Sequence, residues 1–222
     1  QNSTLVLLGV ELAARDTLEL ISGTVQSDQF SSLTSNNVFL LQDQGTVAGN
    51  IVVEVAGKAT LNGEMSALEL VSTGNIFVNR TWDPASSLTL SGTEQTLSFT
   101  TNHLSIGNLT LQSPTQSGRF LLEGSPGSTF EVMDRLQLKS GVLIGNNTSV
   151  MVSPNSVVFQ SDSSWVNAPI EANLESSFEG DVVFPIGSSS RSRPITLSIP
   201  TQLLAASTFG VSVTESEPLL KP

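Results

Sequence analysis

Leu68-Glu69-Leu70, Leu88-Thr89-Leu90, Leu109-Thr110-Leu111, Phe130-Glu131-Val132, Val150-Met151-Val152 and Ile170-Glu171-Ala172 repeat one apolar–any–apolar triplet, beginning at positions 68, 88, 109, 130, 150 and 170. The starts are 20, 21, 21, 20 and 20 residues apart. In an extended strand the outer residues of each triplet point to one face and the middle residue to the other, which suits a strand buried on one side. The middle residues Glu69, Thr89, Thr110, Glu131 and Glu171 are polar, and Met151 is the exception. A unit of this length cannot bury its own apolar face, whereas stacked units share one core. The expectation is an all-β parallel β-solenoid with coils of about 20 residues, its repeat carried by Leu68, Leu70, Leu88, Leu90, Leu109, Leu111, Phe130, Val132, Val150 and Val152. An antiparallel β-sandwich is the alternative, since Leu, Val and Thr are common in any β protein.

Working outward, residues 1–57 read as an N-terminal cap with the first irregular coils. Val38-Phe39-Leu40-Leu41 and Ile51-Val52-Val53-Glu54-Val55 fall about three residues out of register. The regular solenoid spans 58–172. Gly and Asn at its corners, among them Gly74-Asn75, Gly92, Gly118, Gly127 and Gly141, tolerate the positive φ of sharp bends. Beyond Ala172 the alternation in Asp181–Ile186, Arg193–Pro200 and Thr208–Thr214 is strict and flanked by proline, so 173–216 reads as antiparallel strands forming a cap or opening a further β domain. Residues 217–222 read as a linker.

Composition narrows the function. Of 222 residues only 13% are charged and 5% aromatic, and Tyr and Cys are absent. The net charge of −11 repels a phosphate backbone, which argues against nucleic acid. No apolar run approaches the roughly 20 residues of a membrane helix. Without cysteine there is no disulfide, thiolate metal site or thiol nucleophile to weigh. A chain opening on Gln1 instead of Met reads as processed or trimmed, and export is the preferred reading.

Catalytic material is sparse. His103 is the single histidine, so a paired-histidine metal site or a Ser-His-Asp relay would have to converge on it, and a surface or corner position is the expectation. Solenoid glycosidases and lyases align carboxylates on successive coils. Asp43, Glu64 and Asp83, spaced 21 and 19 residues apart with Arg80 nearby, form the one candidate column for catalysis or calcium. Solvated corner acids are the plainer account. Trp82 is the better exposed of two tryptophans for stacking on a sugar, against the simpler reading of a buried corner aromatic. Thr89 and Thr110 should stack, with Glu69 and Glu131 ending the array. Gly187 to Arg193 carries two arginines but no helix follows it, which weakens a phosphate-loop reading. Enzymatic activity and a cofactor are therefore not expected.

An ordered set of short blocks adds a resemblance. Gly92-Thr93-Glu94-Gln95-Thr96-Leu97, Asn108-Leu109-Thr110-Leu111, Leu136-Gln137-Leu138 with Ser140-Gly141-Val142-Leu143, Trp165-Val166-Asn167-Ala168-Pro169-Ile170, and Phe184-Pro185-Ile186-Gly187 with Arg193-Pro194-Ile195 follow one another. Together they resemble the repetitive adhesin-like surface proteins of Bacteroidota, many of them carried by the type nine secretion system. The resemblance covers roughly Leu88 to Val213. Ser192 stands where that family usually has Tyr, and Ala168 where it often has Gly. It implies a non-enzymatic, exported stalk or filament segment of a large cell-surface protein. Its partners would be other domains of the same protein, further copies in self-assembly, or surface glycans.

Overall fold

A computed structural model describes residues 3–80, 82–83, 85–154, 156–159, 164–188 and 191–213. The linker expected at 217–222 lies outside them. Among the described residues there is no helix. The strands are β1 (Thr4–Val6), β2 (Glu11–Ala14), β3 (Thr17–Ser35), β4 (Val38–Val55), β5 (Lys58–Leu61), β6 (Glu64–Ser72), β7 (Ile76–Val78), β8 (Ser87–Leu90), β9 (Glu94–Phe99), β10 (His103–Gln112), β11 (Arg119–Val152), β12 (Val157–Phe159), β13 (Ser164–Asn167), β14 (Ile170–Leu174), β15 (Gly180–Phe184), β16 (Ile195–Ile199) and β17 (Ser207–Val211).

The chain winds into a three-sided parallel β-solenoid. Each coil crosses a first, second and third side in turn, and each side pairs in parallel with the same side of the next coil. Long strands such as β3, β4 and β11 run around corners because the ladder hardly breaks there. The second side shows the stack most plainly: 11–14, 31–35, 51–55, 69–72, 87–90, 108–111, 135–138 and 157–159 hydrogen-bond in succession. Eight strands at the ~4.8 Å ladder spacing give a rod about 34 Å long. One hydrophobic cluster runs along its interior from Leu7 to Ile186.

The inward columns correct the spacing read from sequence. On the second side the register joins Leu12, Leu33, Val53, Leu70, Leu88, Leu109 and Leu136. Phe130 and Val132 are absent from it. They pair with Leu104 and Ile106 on the first side, where Val150 and Val152 in turn pair with Ile170 and Ala172. The triplets that look like one column thus belong to two sides. The cause is coil length: Leu109 pairs with Leu136, 27 residues on, because 113–118 bulges from a corner as a largely exposed loop. A 21-residue step from Leu109 therefore ends one side short, on Phe130. Leu68 is the second correction. It precedes the paired segment, is 45% exposed, and leaves the inward place to Leu70. Leu70, Leu88, Leu90, Leu109, Leu111, Phe130, Val132, Val150 and Val152 are all buried.

The pairing passes Lys58 without a break, since 17–20, 38–41 and 58–61 already lie in register on the third side. The slip near Val38–Val55 is real but local. Val25 pairs with Val47, 22 residues on, and Val47 with Met65, 18 on. At the C-terminal end two antiparallel pairings replace the parallel ladder: β17 lies against β14, and β15 pairs with β16. Val182, Phe184 and Ile186 bury themselves against the last coil.

Candidate functional site

Three outward features carry titratable or hydrogen-bonding groups. The first holds the residues singled out from sequence. Asp43, Gln44, Gly45, Thr46, Glu64 and Arg80 line one open, polar depression on the first side. Thr46 is level with Glu64 across neighbouring coils. Asp83 does not complete a column. Its N–H donates to the Met65 carbonyl, and its Oδ1 accepts from the Ala85 N–H at 2.9 Å, closing a local turn. The 21-residue step from Asp43 to Glu64 misses because this coil is only 18 residues long, Thr46 being level with Glu64 and Val47 with Met65. Among the described residues no group of three or more His, Asp or Glu side chains is placed to hold a metal ion.

Trp82 follows the simpler reading of a buried aromatic and not the sugar-stacking one. It is only 4% exposed and belongs to the core, so it presents no ring face to a sugar. Trp165 is 9% exposed, and its Nε1 donates to the Ser188 carbonyl at 2.8 Å. Gly187 and Ser188 thus lie against Trp165. The described residues of the 187–193 turn close on themselves through the Gly187–Ser192 bridge and the Ser188 N–H to the Arg191 carbonyl.

The second feature escaped the sequence. His103 and Ser105 on β10 meet Glu131 on the next coil: His103 Nε2 lies 2.9 Å from Glu131 Oε2 and 2.8 Å from Ser105 Oγ, and Ser105 Oγ lies 2.9 Å from the same carboxylate oxygen. This is the only close pairing of a basic with an acidic side chain among the described residues. The offset that joins them, Ser105 level with Glu131, is 26 residues and belongs to the lengthened coil. The polar excess at 113–118 was the available signal. Although serine, histidine and an acid are together, both oxygens sit at the same ring nitrogen. A hydrolytic relay needs the acid on Nδ1, so that Nε2 is free to take the serine proton. Here Ser105 also donates to the carboxylate, and the trio acts as a cross-coil clasp.

The third feature is a groove on the third side lined by Asn75, Glu94, Gln95, Thr96 and Arg119 over Leu121 and Ile144. Glu94 and Arg119 are level on adjacent coils. Gln95 is spoken for: its Oε1 accepts from the Gly92 N–H at 2.6 Å and its Nε2 donates to the Ser72 and Gly74 carbonyls at 3.0 and 2.7 Å.

The outward Thr89 and Thr110 are level with each other, with Val71 and Gln137 next in register; Glu69 still borders the pair by accepting from the Thr89 hydroxyl at 2.5 Å, whereas Glu131 lies elsewhere. Two threonines make no ice- or water-ordering array. Comparison of the chain with protein-family models, with curated proteins and with solved structures found no match.

Proposed function

We propose that the chain is a non-enzymatic, exported cell-surface module, a stalk or filament segment of a large adhesin-like protein. The observation that supports this most is the continuous three-sided ladder around one apolar core. Such a stack transmits load along its axis through side-by-side backbone hydrogen bonds, while the outward positions vary without disturbing the core. Its acidic, hydroxyl-rich exterior, at a net charge of −11, keeps a long rod from associating laterally. Attachment to the cell and any adhesive contact then fall to other domains of the same protein. The test is antibody labelling of intact cells of the source organism, with and without external protease. Surface label removed by protease is the expected result. Label reached only after lysis defeats the proposal.

A carbohydrate-binding role is the second reading, favoured by the groove at Asn75, Thr96 and Arg119, where polar groups overlie the apolar Leu121 and Ile144. A glycan array separates it: binding lost in Arg119→Ala supports it, and no binding removes it.

A further inference from the structure

The three sides of the rod differ in what they turn outward. The first carries Glu64, Glu131 and Glu171 against His103, and the second carries Glu11, Glu54 and Glu69 against Arg135. From Lys58 to Ile144 the third side balances Lys58 and Arg119 against Glu94 and Glu123, so this stretch is uncharged on a chain of −11. Apolar side chains also face out there. Phe77 is half-buried, level with Thr60 and Ser98 on the neighbouring coils, while Ile76 and Val78 beside it point into the core. Asn75, two residues before it and so on the same face, begins the groove that runs over Leu121 and Ile144. Its Oδ1 accepts the Thr96 N–H at 2.9 Å, which fixes the amide and leaves Nδ2 without a partner among the described residues. Glu94 and Arg119 are level on adjacent coils, yet neither side chain has a partner among the described residues. Donors and an acceptor with nothing to bond thus stand around an aromatic ring and two aliphatic side chains.

We propose that the third side between Asn75 and Ile144 binds a neutral oligosaccharide lying along the rod axis, with Phe77 as the platform for one of its rings. This names a ligand class for the carbohydrate-binding reading and rests on that reading. A sugar ring has an apolar C–H face and a rim of hydroxyls. The face packs on Phe77, Leu121 and Ile144, while the hydroxyls donate to the Glu94 carboxylate and accept from Arg119 and the Asn75 amide. The balance of charge selects against ionised sugars. An acidic glycan meets the field of a chain at −11, with Arg119 offset by the neighbouring Glu94. A cationic one is drawn instead to the acidic first and second sides. The groove also sets a length. The Val142 N–H donates to the Gly118 carbonyl, which puts Ile144 level with Leu121, and Leu121 is level with Thr96. Asn75, Thr96, Leu121 and Ile144 therefore fall one to a coil, three ladder steps or about 14 Å in all. A single ring is shorter than that, so the ligand is a run of rings.

The experiment is a binding screen of the 222-residue chain against neutral, acidic and amino glycans, from monosaccharides to hexasaccharides. The expected result is binding of neutral glycans that tightens from mono- to trisaccharide and is unchanged in high salt. Binding of acidic or amino glycans alone overturns the proposal and leaves the carbohydrate-binding reading standing, whereas no binding at all removes both. A monosaccharide held as tightly as a trisaccharide overturns the axial run. Phe77→Ala and Asn75→Asp should each weaken binding of the neutral glycan roughly tenfold. Asn75→Asp keeps the oxygen that accepts the Thr96 N–H and removes only the Nδ2 donors, so the contact between coils survives. Glu54→Gln, exposed on the second side, leaves binding as it was. Binding unmoved by either third-side variant, or lost in Glu54→Gln, overturns the proposal. So does a sedimentation mass of two chains that Phe77→Ala returns to one, since the occupant of this face is then a second copy.

Discussion

Gly74 and Gln95 hold one corner of the stack by different means, and both lend themselves to single substitutions. A Cβ at Gly74 would fall far inside contact distance of the Gly57 carbonyl oxygen, and one at Gly57 would meet the Asn37 oxygen in the same way. Successive coils therefore approach through glycine because backbone lies on backbone. Gly127 is the contrast: its φ is +80°, and nothing lies within 4 Å of an added Cβ. Gly74→Ala should cost about 3 kcal/mol, since a coil must shift, and Gly127→Ala about 1 kcal/mol of backbone strain. Urea titration that ranked them in the opposite order would refute this account of the corners. Gln95→Ala strips partners from the Gly92 N–H and from the Ser72 and Gly74 carbonyls, an expected loss on the order of 3 kcal/mol in the same titration. The corner glycines were legible in the sequence as residue types. Positive φ is found at Gly127 and Gly141 but not at Gly74, Gly92 and Gly118, where close neighbours set the need for glycine.

At the scale of a strand, the sequence carries a face and leaves register to the lengths of the loops between strands. Alternation fixes that Leu88, Leu109 and Phe130 point inward, but not which of three sides each occupies. A 27-residue coil between Leu109 and Leu136 mimics a regular step by landing Phe130 on the neighbouring side. The same loop hid the clasp of His103, Ser105 and Glu131, whose partners lie 26 residues apart in register. The depression at Asp43 and Glu64 was partly legible because it lies before the long coil, where the counting error is only a few residues. The register makes a sharp contrast within one triplet. Leu70→Ala, at a fully buried column position, should lose about 3 kcal/mol, whereas Leu68→Ala, 45% exposed, should change stability by less than about 0.5 kcal/mol. Equal losses at both would mean that Leu68 also faces the core. Removing 114–117, whose four residues are exposed, should leave the melting temperature within a few degrees, because shortening a surface loop changes closure entropy little.

Along the whole rod, each coil touches only its neighbours, so stability is close to a sum of coil and interface terms, and the ends are held by one interface where interior coils are held by two. The two ends differ further. The last coil gains the antiparallel cover of β17 and the buried Val182, Phe184 and Ile186, whereas the first coil leaves Leu5 and Leu12 half in water. Opening should therefore start at β1 and β2 and move inward, since releasing them exposes less new apolar surface than releasing any other coil. Native-state hydrogen exchange on dilute protein measures this directly. Amides of 4–14 should exchange first, those of 51–55, 69–72, 87–90 and 108–111 should report the global unfolding free energy, and 170–174 should fall between. Protection spread evenly from 4 to 174 would mean all-or-none unfolding.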